Sequence, residues 1–83
     1  MDEKQIQDAK SILSELCKSN NVTEKDILSY KRNGNIALVR MVYYTILKEL
    51  GYSLNQIAML TNKCDHTTVL SGIRRIISLI QSE

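Results

Sequence analysis

The chain has 83 residues and a mass of 9.5 kDa, enough for one small domain spanning residues 1–83 and no second core. Hydrophobic residues at 43% against 24% charged describe a soluble globular chain, and apolar runs of only three or four residues exclude a membrane span. The net charge of +2 hides a split: residues 1–27 hold six acids and four lysines, whereas residues 28–75 hold seven basic residues against Glu49 and Asp65, a weak pointer to a polyanionic partner.

No proline and only three glycines, Gly34, Gly51 and Gly72, interrupt the chain, so the expected fold class is all-α, a compact bundle of about five helices. Ile6, Ala9, Leu13, Leu16 and Cys17 recur at helical spacing and predict a first helix over roughly 4–18, broken by Asn20-Asn21. Thr23 can cap a short second helix running to about Tyr30, with Glu24 and Asp26 in the first turn where the helix dipole favours acids. Lys31-Arg32-Asn33-Gly34-Asn35 has turn composition and two positive charges, and reads as a basic loop. A long third helix is expected from about Ile36 to Leu50, burying Ile36, Val39, Tyr43, Ile46, Leu47 and Leu50, with Gly51 in a left-handed cap. Ser53-Leu54-Asn55-Gln56 fits a capping box opening a short fourth helix through Leu54, Ile57, Ala58 and Leu60 to about Thr61-Asn62. After a tight connection at Asn62-Lys63-Cys64, Asp65 is placed to cap a last helix. Val69, Ile73, Ile76, Ile77 and Ile80 form its buried stripe, and His66, Thr67, Thr68, Ser71, Arg74 and Arg75 its polar face. Tyr43 is expected in the core, and Tyr30, Tyr44 and Tyr52 as partly exposed packing groups.

Cys17 and Cys64 form no CxxC pair and the chain has one histidine, so neither a zinc site nor a disulfide is expected. Cys17 reads as a core residue and Cys64 as a turn residue. Cys64, Asp65 and His66 are nucleophile or base types in a row, but neighbours on one helix cap diverge and cannot meet at one reacting atom. No glycine-rich phosphate loop is present. The chain is therefore expected to be no enzyme and to need no cofactor, metal or nucleotide. The polar start Met1-Asp2-Glu3-Lys4-Gln5 lacks the apolar stretch of a signal peptide, which gives a cytoplasmic expectation with no membrane partner.

A short helix, a three- or four-residue turn and a longer helix opening on small polar groups is the helix-turn-helix pattern. A helix fits the major groove, and side chains of its first turn reach base edges. His66 can hydrogen-bond a purine or a phosphate, Thr67 and Thr68 offer a hydroxyl and a methyl, and Asp65 can accept from a cytosine amino group. The bland alternative is that Asp-x-Thr-Thr is only a cap.

Asp65-His66-Thr67-Thr68-Val69, after a short helix beginning Ser53-Leu54 and before Ile73-Arg74-Arg75-Ile76, resembles the C-terminal DNA-binding domain of the bacterial chromosomal replication initiator DnaA. The resemblance covers about residues 5–80 and takes in Asp26-Ile27-Leu28-Ser29, Asn35-Ile36-Ala37, Arg40 and Lys48-Glu49-Leu50 upstream. It implies sequence-specific binding to double-stranded DNA at initiator-type boxes, with Asp65, His66, Thr67 and Thr68 reading bases in the major groove and Arg32 in the minor groove. It places phosphate contacts at Arg40 and Lys48, with Leu54 and Asn55 near the backbone. Lys31 and Lys63 join them on charge. Four phosphate contacts would give a salt slope of about −3.6.

The chain departs from the family pattern where basic residues are usual, at Gly34, Leu38 and the Asn62-Lys63-Cys64 turn. Val39 replaces a usual proline, and the Gly51-Tyr52 segment is about one residue shorter. The family's initiator carries an ATP-binding motor ahead of this module, of which these 83 residues hold no trace, and Met1 with an untagged acidic first helix gives the expectation of a small stand-alone protein over an excised domain. The function implied is modulation of replication initiation or transcription from a nucleoid-associated location, with a protein partner in a replication complex. The alternative is an interaction module that keeps the fold without specific DNA binding, meeting a partner through Gln5, Asp8, Lys10 and Glu15 or through Tyr44 and Tyr52.

Overall fold

A computed structural model describes residues 1–29, 34–62 and 65–81. These form five helices and, among the described residues, no strand: α1 (Glu3–Asn20), α2 (Glu24–Leu28), α3 (Gly34–Glu49), α4 (Leu54–Leu60) and α5 (His66–Gln81). The expected all-α bundle of five helices is what forms.

Local chemistry sets the boundaries. Helix α1 opens on a capping box in which the Gln5 amide N–H donates to Asp2 Oδ1 (2.8 Å) and the Asp2 N–H to Gln5 Oε1 (3.1 Å), so it starts ahead of the expected position. It ends at Asn20 because Asn21 turns left-handed (φ 55°), where asparagine is tolerated, and Val22 N–H reaches back to the Cys17 carbonyl (3.1 Å). Thr23 Oγ1 accepts from Asp26 N–H (3.0 Å) and caps α2, which stops at Leu28, short of the expected Tyr30. Tyr30 lies outside the described residues. Helix α3 begins at Gly34, earlier than expected. It closes with Gly51 left-handed (φ 99°), Tyr52 N–H donating to Leu47 O (3.1 Å) and Gly51 N–H to Lys48 O (3.0 Å). The capping box of α4 joins Ser53 and Gln56 in both directions (2.9 and 3.1 Å).

Helix α3 is the spine: α1, α2, α4 and α5 all pack on it, and α5 also packs on α4. Tyr43, Leu47, Ile57, Val69 and Ile27 are fully buried at the centre. Truncating one such aliphatic side chain to alanine typically costs about 2–5 kcal/mol. Cys17 lies in this core, as expected, and burial pushes its thiol pKa up, with Glu24 and Asp26 adding to the effect.

Several packing expectations need correction. Tyr44 and Tyr52 are buried, at 2% and 5% exposure, not partly exposed. Tyr44 lies against α5 at Gly72. The Tyr52 hydroxyl donates to the Gln5 carbonyl (2.7 Å), as the Tyr43 hydroxyl does to that of Ala9 (3.2 Å), so both rings tie α1 to the rest of the bundle. Conversely, Leu50, Ile77 and Ile80 are exposed. Leu50 falls beyond the last residue of α3, and Ile80 borders an open groove with Leu38 and Val42 instead of filling the core.

Candidate nucleic-acid interface

Helix α4, the turn after it and α5 form the expected helix-turn-helix. Thr61 ends α4: its N–H and its hydroxyl both donate to the Ile57 carbonyl (3.0 and 2.7 Å), and its side chain is buried. Asn62 then turns left-handed (φ 66°). Lys63 and Cys64, expected as a phosphate contact and a turn residue, lie outside the described residues.

Asp65 caps α5. Its Oδ1 accepts from Thr67 N–H (2.9 Å), and its carbonyl accepts from Thr68 N–H (3.0 Å) and Val69 N–H (3.3 Å). The Thr67 N–H bond holds the Asp65 carboxyl below the usual aspartate range, and the Thr67 hydroxyl and nearby His66 add to that effect. His66 Nδ1 stands 3.7 Å from Asp65 Oδ1. The charge therefore sits at the positive end of the helix dipole, where an anion is favoured.

Below this cap the helix is fastened by its apolar face. Val69 is fully buried, and Ile73 and Ile76 follow at helical spacing. At Gly72 an added Cβ would come 2.9 Å from Met41 Cγ and 3.0 Å from Tyr44 Cδ2, so the glycine sets how closely α5 approaches α3. The result is a first turn whose side chains, Asp65, His66, Thr67 and Thr68, all face solvent while the next residue anchors the core.

Leu54 and Asn55 open α4, half-buried and exposed respectively, and Lys48 is exposed in the last turn of α3. Lys31 and Arg32 lie outside the described residues. Arg40 is half-buried and engaged with backbone: its Nε donates to the Ile27 carbonyl (2.7 Å), and its Nη2 to those of Ser29 (2.7 Å) and Asp26 (3.2 Å).

Sequence reasoning put Ser71 and Arg75 on the polar face of α5 without a role. With Thr68 they line an open groove against Ala37, Arg40 and Met41 of α3, a continuation of the exposed first turn. The i, i+3, i+7 spacing from Thr68 is the signal that could have singled them out. Among the described residues, no group of three or more His, Cys, Asp or Glu side chains could hold a metal ion, and no helix is long and apolar enough to cross a membrane.

The family described as the bacterial dnaA protein helix-turn-helix matches residues 9–76. The chromosomal replication initiator protein DnaA of Oenococcus oeni is 36% identical over 64 residues, an alignment covering 76% of this chain. The chain spans about 14% of the length of that relative. No solved structure matches. The chain belongs to the bacterial DnaA helix-turn-helix family, and its class of activity is DNA binding in general.

Proposed function

We propose that this member of the family binds double-stranded DNA in a sequence-specific way, laying the start of α5 in the major groove of an initiator-type box. The supporting observation is the capped, solvent-facing turn from Asp65 to Thr68 standing directly over the fully buried Val69. That turn is polar, its backbone is held by the Asp65 cap, and a helix has the width to enter the major groove and meet base edges. With the Thr67 hydroxyl helping to hold Asp65, its methyl packs on a thymine methyl. Thr68 offers its hydroxyl, His66 reaches a purine or a phosphate, and the second oxygen of Asp65 accepts from a cytosine amino group. Arg32 enters the neighbouring minor groove. Lys31, Lys48 and Lys63 meet phosphates, and Leu54 and Asn55 bring the start of α4 against the backbone.

The name of the relative, a chromosomal replication initiator, is the ground for assigning this binding to replication, with transcription as a second outcome of occupying the same boxes. A nucleoid-associated, cytoplasmic location and a protein partner in a replication complex go with it. No enzymatic step is assigned to the chain. The rival interaction module loses two of its contact residues, because Tyr44 and Tyr52 are buried.

Fluorescence anisotropy with a duplex bearing a TTATCCACA-type box and a scrambled duplex of equal composition tests this at two salt concentrations. Tighter binding to the box is expected. Thr67→Ala should cost roughly 1–3 kcal/mol on the box and relax the base preference, whereas Lys48→Ala should weaken both duplexes alike and reduce the salt slope by about 1. Equal loss on both duplexes for Thr67→Ala would remove it from base reading. No binding to either duplex at low salt would overturn the DNA-binding proposal.

A further inference from the structure

We propose that Arg40 serves DNA recognition as a positioning residue, a clamp on the C-terminal end of α2. The inference rests on the DNA-binding reading above and gives Arg40 a task within it that needs the guanidinium fork and not the charge alone.

Helix α2 has only five residues, too few to hold its own last carbonyls in place. Arg40 reaches across from the second turn of α3 and binds three carbonyls at that end: Ile27 through Nε, and Ser29 and Asp26 through Nη2. The Ser29 hydroxyl and N–H both return to the Asp26 carbonyl as well (2.8 and 3.3 Å), so the Asp26 oxygen gathers the junction together. A guanidinium suits this task because its donors lie in one plane at fixed angles and its charge faces the negative end of the helix dipole. Lysine keeps the charge but has a single nitrogen and no fixed fork. It cannot reproduce bonds to three carbonyls in this geometry.

The position of these carbonyls connects the clamp to recognition. Ser29 is the residue from which the chain passes to Tyr30-Lys31-Arg32-Asn33, and Gly34 opens α3, the helix that carries Arg40. Arg40 thus holds the near anchor of that segment to the same helix that forms its far anchor. It fixes Ser29, the last described residue before Lys31 and Arg32 in the chain. Three directed bonds at 2.7–3.2 Å from a half-buried side chain define a structural tie to the end of α2.

A double-mutant cycle between Arg40→Lys and Arg32→Ala, read by anisotropy on the box and scrambled duplexes, tests the proposal. Wild-type protein is measured alongside. Arg40→Lys keeps the charge and loses the fork, so it is expected to weaken box binding about tenfold and to narrow the box-to-scrambled ratio. In the Arg32→Ala background the same change is expected to alter affinity less than twofold, because the segment it positions has already lost its base contact. Arg40→Gln, a second and neutral variant, is expected to match Arg40→Lys. Far-ultraviolet circular dichroism at 10 °C confirms that each variant is folded before it is assayed.

Three results overturn the proposal. Wild-type affinity in Arg40→Lys with loss in Arg40→Gln means that the charge acts on a phosphate. Equal losses from Arg40→Lys with and without Arg32 mean that the two residues act independently. A lowered melting temperature with unchanged affinity and ratio means that the clamp serves stability alone. If wild-type protein itself fails to prefer the box, the parent reading falls and this one with it, and that failure is visible in the wild-type arm before any variant is compared.

Discussion

Helices α1 and α4 open on reciprocal capping boxes, and α5 opens on a different device. In α1 and α4 the first capping side chain, Asp2 or Ser53, accepts from the N–H three residues on, and Gln5 or Gln56 returns the bond with its long side-chain amide. In α5 the Asp65 carboxylate accepts instead from the N–H of Thr67, two residues on, and the position of the returning glutamine is held by Thr68, whose side chain is short. The first two starts are folded over by their own residues. The third is stabilised by one carboxylate and leaves Thr68 facing outward. Two closed starts are tied up within the fold, while the open start leaves its polar groups facing solvent, at the cost of a missing return bond.

The largest effect comes from what holds the open start in place. Gly72→Val pushes a branched side chain against Met41 and Tyr44, which already stand 2.9 and 3.0 Å from a bare Cβ. Overpacking of this kind costs roughly 1–3 kcal/mol. The urea midpoint should fall, and the box-to-scrambled ratio should fall with it as α5 is driven off α3. An unchanged midpoint would show that α5 can shift without loss.

Exchanging the two kinds of start tests the comparison directly. Thr68→Gln supplies the missing amide of a capping box and should raise stability by about 0.3–1.5 kcal/mol while removing box preference. Gln5→Thr opens α1 and should lower stability by a similar amount, leaving DNA affinity untouched. If Thr68→Gln kept full discrimination, the open first turn would not be the reading surface.

How much of this was legible in the sequence follows the range of the interactions. The caps at Thr23, Ser53 and Asp65, the left-handed Gly51 and the stop at Asn20-Asn21 all rest on chemistry within a few residues, and sequence patterns report such chemistry. Burial of Tyr52 depends on a carbonyl 47 residues away at Gln5, and the carbonyls that engage Arg40 lie 11 to 14 residues back. A backbone carbonyl has no residue signature, so nothing in the sequence pattern announces the bonds that Arg40 makes to the end of α2. The apolar stripe of α5 was legible as far as Ile76, but its continuation to Ile77 and Ile80 depended on whether a neighbouring helix covers them, which periodicity does not encode.

The smallest effect concerns the charge on the open start. The bond from Thr67 N–H holds the Asp65 carboxyl below its ordinary value of 3.8, so near that pH the folded chain binds fewer protons here than the unfolded chain does. Stability from this group is therefore complete above the ordinary value and is lost as pH falls through the lower, folded one. Because Asp65 is exposed, solvent screens the charge and the effect is modest. Asp65→Asn keeps a capping oxygen that does not titrate. The other carboxylates act in wild type and variant alike, so the difference between the two melting temperatures isolates Asp65. The advantage of wild type should be full at about pH 5 and shrink toward pH 3. An advantage that stayed constant to pH 3 would mean that the carboxylate is not held by Thr67 in solution, and α5 would then start without the cap that keeps its first turn in place.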